Sequence, residues 1–308
     1  MRVASTQLTP VYLDRDATIA KVITAVDEAA DNGAKLIAFS ETFVPGYPSW
    51  ADYTYASYFD HPDQKETYAR YLEVAVDIER GDLDDVEAVA TERDVFIYLG
   101  VAELSPSRGS VYCSLVAIDP GDGIVSVHRK LKPTFGERLV WADGDGAGLV
   151  AHEYEGMRVS GLNCWENWMP LARAAMYAQG TQIHIATWPG SDATSRDISR
   201  FIAREGRVFV VSSGGILGAD QVPEDLPVRD EMVGESDTYS TGGSIIVGPD
   251  GEVLSEGKPN EEMIIYADLD PALLARERQN FDPTGHYSRP DVLRLKVDRS
   301  RAASVEFE

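Results

Sequence analysis

Cysteine is scarce in this chain: only Cys113 and Cys164 occur among its 308 residues. Two cysteines are too few for a disulfide framework in a chain of this length. Cys113 lies within the apolar, strand-like run from Val111 to Ile118, so we expect it to be a core residue. Cys164 follows a separate apolar run and is the thiol to consider for chemistry.

Basic residues are also few, with 28 Lys and Arg against 51 Asp and Glu and a formal net charge of −23. Nucleic-acid-binding domains present basic surface to phosphates, so this charge argues against nucleic acid and against an anionic membrane as a partner. No apolar run approaches the about 18 residues of a membrane span, and the first residues do not resemble a signal peptide. We therefore expect a cytoplasmic protein.

No low-complexity linker divides the chain, so the sequence predicts a single domain. Short, continuously apolar runs alternate with helical patterns, which indicates an α/β protein whose sheet is covered by helices. Strands are predicted at 2–8, 35–39, 95–101, 111–118, 157–162, 182–187, 207–212, 243–247 and 263–269. One more strand is predicted after the turn at 119–123, and it ends near Lys130. Helices are predicted at 66–78, 83–91, 171–179 and 271–279. A further helix is predicted from a cap at Asp16 to a stop at Gly33, and another follows the strand at 182–187 and ends near Glu205.

The other segments are predicted to be irregular. Residues 42–59 are rich in aromatic side chains, and residues 132–148 have the composition of a loop. Gly144, Gly146 and Gly148 lack the flanking strand and helix of a phosphate-binding loop, so we interpret them as a turn. Residues 218–240 are predicted to form a long acidic loop that is a solvated face or an oligomer contact.

Cys164 is predicted to lie between the end of a buried strand and the start of a helix. Pro170 suits the first turn of that helix, and Gly180 suits its end. Backbone amides and the helix dipole can stabilise a thiolate at such a position, and the thiolate is the strong nucleophile. The alternative is an inert buried thiol, which is what most cysteines are.

Covalent catalysis by a thiol also needs a base for its proton and a positive charge for the substrate. Glu41 follows the strand at 35–39, and Lys130 ends the strand after Gly123. In layered α/β proteins, functional groups gather at the carboxyl ends of strands. Each residue alone could be an ordinary surface group, but with Cys164 they make three complementary residues at three strand ends, which predicts a site.

Four ordered segments resemble signatures of the nitrilases, a branch of the carbon–nitrogen hydrolases. They contain Glu41 within 39–50, Lys130 within 128–141 and Cys164 within 163–170, and the fourth spans 282–291. The likeness extends from about Val3 to Leu293. By this resemblance, residues 1–290 form a nitrilase domain and residues 291–308 a short C-terminal tail.

The resemblance implies a four-layer α-β-β-α sandwich and a Glu–Lys–Cys triad. Cys164 would be the nucleophile, Glu41 the general base, Lys130 the group that stabilises the charged intermediate, and Glu137 a second glutamate that orients the site. It further implies homodimers that pair across helices, including the helix after Cys164, or larger homo-oligomers. Neither a cofactor nor a metal is expected, because His152 and His184 lack ligand spacing and His184 lies in an apolar run.

The expected function is hydrolysis of a small-molecule organic nitrile to the carboxylic acid and ammonia through a thioimidate and a thioester on Cys164. The alternatives are an amidase of the same superfamily acting on a carboxamide and, third, a non-catalytic scaffold. Tyr47, Trp165 and Trp188 are candidate substrate-binding residues. For such aromatic residues, core packing or an oligomer contact is an equal alternative, since aromatic side chains dominate pockets and interfaces alike.

Overall fold

The computed structural model describes residues 1–303 and residue 305. Its first six-stranded sheet contains, in spatial order, β14 (Met263–Asp268), β1 (Arg2–Gln7), β2 (Leu36–Ala38), β3 (Phe96–Leu104), β4 (Val111–Asp119) and β5 (Gly123–Arg129). The second contains β13 (Val253–Glu256), β12 (Ile245–Val247), β9 (Phe209–Gly214), β8 (Ile183–Trp188), β7 (Met157–Asn163) and β6 (His152–Tyr154). A separate two-stranded ribbon pairs β10 (Ile216–Gly218) with β11 (Thr238–Thr241).

Helices flank the two sheets. They are α1 (Arg15–Asp31), α2 (Trp50–Tyr53), α3 (Pro62–Val74), α4 (Asp84–Arg93), α5 (Pro170–Tyr177), α6 (Asp192–Gly206), α7 (Arg229–Glu235) and α8 (Pro271–Arg278). Within the described residues, no helix has both the length and the apolar character needed to cross a membrane.

Three apolar clusters define four layers. The first packs α1 and α4 onto the first sheet, for example through Val22, Val86 and Ile97. The second lies between the two sheets, where side chains such as Leu115 face Val159 and Ile185. The third packs the second sheet onto α6 through Ala186, Ile198, Ile202 and Val210. The structure is thus an α-β-β-α sandwich, because each sheet buries one face against the other sheet and its second face under helices.

The strand directions bring the predicted site residues to one edge. β2 is parallel to β3, β3 is antiparallel to β4, and β4 is antiparallel to β5. β5 therefore runs in the same direction as β2, so that Glu41 and Lys130 follow strands ending at the same edge of the first sheet. Cys164 follows β7, which contacts β4 across the interface between the sheets.

Several local predictions were wrong. Residues 42–59 are not wholly irregular, because α2 lies within them, and the helix predicted at 66–78 is α3 (Pro62–Val74). The cap of α1 is Asp14, not Asp16, because Asp14 has extended backbone angles and its side chain accepts a hydrogen bond from the Ala17 amide. The segment 218–240 is not simply a loop, since it contains α7 and the ribbon strand β11. Its apolar side chains pack into an aromatic cluster with Trp50, Tyr71 and Trp141; they are Val222, Leu226, Val228 and Met232.

Candidate active site

The structure brings Glu41, Lys130, Glu137 and Cys164 together in one buried cluster. The Lys130 ammonium nitrogen lies 2.9 Å from Glu41 Oε1 and 2.6 Å from Glu137 Oε2. The Cys164 Sγ atom and one carboxylate oxygen from each glutamate lie within 4.8 Å of one another. None of the four residues is more than 3% exposed, so their charges interact in a poorly solvated environment.

Glu41 is held by close backbone contacts at the end of β2. Its amide donates to the Trp188 carbonyl at 3.2 Å, which links the edges of the two sheets. A Cβ atom at position 100 would lie 2.1 Å from the Ser40 carbonyl oxygen and 2.9 Å from Glu41 Cα, so the approach of β3 requires Gly100. The Cys113 thiol donates to Glu41 Oε1 at 3.4 Å. Oε2 is buried without a hydrogen-bond partner among the described residues.

Lys130 is fixed by β4 and by the glycine-rich segment. Its amide donates to the Cys113 carbonyl at 2.7 Å, and its ammonium lies 5.4 Å from the centre of the Trp141 ring. A Cβ atom at position 144 would lie 2.5 Å from the Lys130 carbonyl oxygen. Gly144 therefore permits a close backbone approach behind Lys130, and the predicted turn is instead a short 3₁₀ helix at Gly146–Gly148.

Glu137 lies in a short 3₁₀ helix, Phe135–Leu139, that starts with a capping box. Its Oε2 accepts from the Thr134 amide at 2.6 Å, and its Oε1 accepts from the Tyr47 hydroxyl at 3.0 Å. Both oxygens of the Glu137 carboxylate are therefore hydrogen-bonded, and Oε2 also binds the Lys130 ammonium.

Cys164 begins another 3₁₀ helix, Cys164–Trp168, in which its φ angle is +43°. The Glu166 carboxylate braces this turn: it accepts from the Asn163 amide at 2.9 Å and lies 3.0 Å from His128 Nε2. The Asn167 side-chain amide donates to the Cys164 carbonyl at 3.0 Å. Because α5 begins only at Pro170, its dipole is not placed at the thiol as the sequence suggested.

Burial and the two glutamates set the charge state of the cluster. Burial and the nearby Glu41 raise the pKa of the Cys164 thiol well above its ordinary value, and Lys130 offsets only part of this effect. Burial raises the pKa of Glu41 to about 7 even though Lys130 lowers it. Burial by itself lowers the pKa of Lys130, but Cys164, Glu41 and other acidic neighbours outweigh it and raise that pKa well above 10.5. Together these shifts favour a protonated thiol and a charged ammonium beside a carboxyl group that titrates near neutrality.

The donor set also bears on metal binding. A thiol and two carboxylates can ligate a metal ion. In this cluster, however, the Lys130 ammonium already contacts both carboxylates, so the positive charge between them comes from the chain. The arrangement suits acid–base and nucleophilic chemistry at Cys164.

The three candidate substrate-binding residues have different surroundings. Tyr47 bonds Glu137 and lines, with Glu41, a narrow cleft that includes Phe43, Ile216 and Leu217. Trp188 is buried, and its indole donates to the Ser212 hydroxyl at 2.9 Å. Trp165 is 45% exposed and stacks on Trp168, which favours an oligomer contact over a pocket wall.

Sequence reasoning missed three neighbours of the cluster: Cys113, Trp141 and Asn167. The hairpin turn at 119–123 indicates that β4 pairs with the strand that leads to Lys130, but the shifted register that selects Cys113 over Tyr112 is visible only in the structure. Trp141 and Asn167 lie within the segments that contain Lys130 and Cys164, and their contacts depend on how those turns fold.

Comparison with known sequences shows similarity over nearly the whole chain. Residues 2–279 match the carbon–nitrogen hydrolase family. The chain is 40% identical to "Nitrilase 2" from an unknown prokaryotic organism, covering 98% of this chain and 93% of that protein. It is 35% identical to an aliphatic nitrilase from Rhodococcus rhodochrous, covering 100% of this chain and 82% of that protein. It is 36% identical to an arylacetonitrilase from Fusarium vanettenii, with 99% and 94% covered.

Solved structures share the fold at low sequence identity. A carbon–nitrogen hydrolase from Helicobacter pylori G27 aligns with a TM-score of 0.72 at 18% identity, covering 94% of this chain and 97% of that one. A mutant amidase from Nesterenkonia sp. AN1 aligns with a TM-score of 0.68 at 18% identity, with 91% and 97% covered. At such identities the likeness concerns the fold alone.

Proposed function

This chain belongs to the nitrilase branch of the carbon–nitrogen hydrolase family, and we propose that it hydrolyses organic nitriles to carboxylic acids and ammonia. The observation that carries the proposal is the buried Lys130 ammonium held between Glu41 and Glu137, with the Cys164 thiol within 4.8 Å of a carboxylate oxygen of each. This arrangement supplies a nucleophile, a base and a positive charge in one poorly solvated site.

The first half of the reaction forms a covalent adduct. Glu41 removes the thiol proton while Cys164 Sγ adds to the nitrile carbon, and the proton passes to the nitrile nitrogen to give a thioimidate. Because the thiol pKa is raised, the proton leaves as the bond forms rather than from a resting thiolate. The Lys130 ammonium stabilises negative charge as it develops on nitrogen.

The second half releases the products. Glu41 takes a proton from water, which adds to the thioimidate carbon and gives a tetrahedral adduct. Proton transfer to the nitrogen expels ammonia and leaves a thioester, which a second water hydrolyses to the acid and the free thiol. Glu137 keeps Lys130 in place throughout, because it accepts from the ammonium on one oxygen and from Tyr47 on the other.

An amidase is the second candidate, since the same four residues could act on a carboxamide. The tetrahedral adduct can also expel the thiol, which yields an amide from a nitrile. A panel of aliphatic, aryl and arylaceto nitriles, cyanide and the matching amides separates these cases by ammonia and product analysis. Acid and ammonia from a nitrile support the nitrilase, whereas turnover of amides alone would contradict it.

The activity is expected to fall as pH decreases through about 7, because burial raises the Glu41 pKa to that value from 4.5. Glu41 acts as a base only when ionised, so a raised pKa moves the loss of activity to higher pH. The measurement is the pH profile of kcat/KM with one nitrile. An acid limb near 4.5 would contradict the raised pKa of Glu41, and an unchanged limb in Glu41→Gln would assign the base to another group.

We further propose a homodimer formed through the helices beside Cys164. Apolar side chains are exposed together on the 3₁₀ helix, α5 and α6; they are Trp165, Trp168, Met169, Leu171 and Phe201. Clustered exposed aromatic and aliphatic groups are typical of protein–protein interfaces. Leu171 is the most exposed of the five, at 66%, and it lies on α5.

Leu171→Asp is expected to weaken the dimer by about 30-fold or more in Kd, because a charge would be buried in an apolar contact. Sedimentation velocity at several concentrations measures the effect. Val11→Asp is the control, since Val11 is 41% exposed just before α1, which covers the first sheet and not the second. A change in mass with Val11→Asp but not with Leu171→Asp would place the interface elsewhere.

A further inference from the structure

Cys113 is the second thiol of the chain, and the mechanism above gives it no role. It is 1% exposed on β4, and it contacts two members of the catalytic cluster. Its thiol donates to Glu41 Oε1 at 3.4 Å, and its carbonyl accepts from the Lys130 amide at 2.7 Å. It therefore touches both the base and the segment that carries the ammonium.

The contacts of Glu41 are divided unequally between its two oxygens. Oε1 is bonded by both the Lys130 ammonium and the Cys113 thiol. Oε2 is equally buried but has no partner within the described part of the chain. A second donor on Oε1 fixes the plane of the carboxylate and hence the direction in which Oε2 points.

We propose that Cys113 is a positioning residue whose thiol holds the Glu41 carboxylate so that Oε2 stays free to take the proton of Cys164. The inference rests on the proposed nitrilase function and on Glu41 as its base. Cys113 does not contact the substrate and forms no covalent bond in the reaction. It acts through the orientation and basicity of Glu41.

The chemistry of a buried thiol fits this role. Burial and the adjacent Glu41 raise the pKa of Cys113 well above 9, so it keeps the proton that it donates. Its bond to Glu41 lowers the pKa of that carboxyl and partly opposes the effect of burial. The Cys113 thiol faces Glu41 Oε1, which also binds the Lys130 ammonium, and core packing alone does not require that contact.

The test compares Cys113→Val, which keeps the bulk but removes the donor, with Cys113→Ser, which keeps a donor. With Cys113→Val we expect kcat for a nitrile to fall about 3- to 10-fold, with little change in KM. The acid limb of the pH profile should move up by about 0.5 unit. Cys113→Ser should return both values toward wild type, and Cys113→Ala replaces Cys113→Val if the latter does not fold.

Ser114→Ala is the matched control, because Ser114 is the next residue on β4 and donates to the buried Glu103 carboxylate at 2.6 Å. It removes a comparable hydrogen bond to a carboxylate outside the site, so it should not move the acid limb. Equal losses in the Val and Ser variants, or an acid limb that stays in place, would show that Cys113 only packs. Wild-type nitrile turnover and its loss in Cys164→Ala test the proposed function separately.

Discussion

Replacing Cys164 with alanine is expected to lower kcat/KM for nitriles by about 10³-fold or more, because no other group in the cluster can form the thioimidate. Fold stability should change little, since the thiol is not one of the hydrogen-bonded braces of the turn. The measurement is ammonia release under substrate-limiting conditions, with thermal unfolding recorded on the same samples.

The Cys113→Ser variant is the matched control for Cys164→Ala. Both thiols are buried free cysteines, but only Cys164 would carry the covalent intermediate. We expect the control to remain within about 10-fold of wild type. Wild-type ammonia release from Cys164→Ala would disprove the covalent mechanism.

The second large effect is expected for Lys130→Met, which retains the length of the side chain but removes its charge. Glu41 and Glu137 would then lie buried and unpaired beside each other, and losing one partner of a buried ion pair costs about 3–5 kcal/mol in the free energy of unfolding. Nitrile turnover should fall about 10³-fold or more, because the developing negative charge on nitrogen would have no positive neighbour.

The loss of stability should depend on pH. Without Lys130, only the hydrogen bond from Cys113 would oppose the burial that raises the Glu41 pKa, so its folded-state pKa would rise further above the unfolded value. A carboxyl group with a raised folded-state pKa disfavours the folded state at high pH and ceases to do so once it is protonated. The loss in the free energy of unfolding of Lys130→Met relative to wild type should therefore be largest above about pH 7 and smaller near pH 5, as measured by urea unfolding.

Lys132→Met provides the comparison, since Lys132 is 54% exposed and paired with Asp143 at the surface. We expect a change within about 0.5 kcal/mol and nearly full activity. Lys130→Arg keeps the charge in a bulkier group and should recover more stability than activity, because a guanidinium cannot occupy the position of the ammonium. Equal stability of wild type and Lys130→Met across this pH range would contradict the buried ion cluster.

Most strands and the α/β class could be predicted because apolar runs and their turns are local features of the chain, whereas the four-layer sandwich was implied only by the resemblance to nitrilases. The helix after Asp14 was predicted with its cap two residues too late, since three acidic or basic residues follow one another there and only the backbone angles select the cap. The segment 218–240 was misjudged because its buried side chains contact aromatic residues distant in sequence. Polar composition alone does not reveal such contacts.

The relation of Cys113 to Lys130 illustrates the limit for the site. Counting outward from the pair Asp119–Gly123 along a regular hairpin would place Tyr112 opposite Lys130. The register shifts between Ala117 and Ile118, and this irregularity places Cys113 there instead. One shifted residue therefore decides whether the carbonyl of Cys113 or that of Tyr112 lies opposite the Lys130 amide.

The sequence by itself determined which strand ends carry Glu41, Lys130 and Cys164, because each follows an apolar run that can be identified locally. The tertiary structure decided what surrounds them: the burial that raises the pKa of the Cys164 thiol, the Glu41 oxygen without a hydrogen-bond partner among the described residues, and the outward position of Trp165. The burial of an atom and the charges around it depend on groups that are distant in sequence. These groups come together only when both sheets are packed.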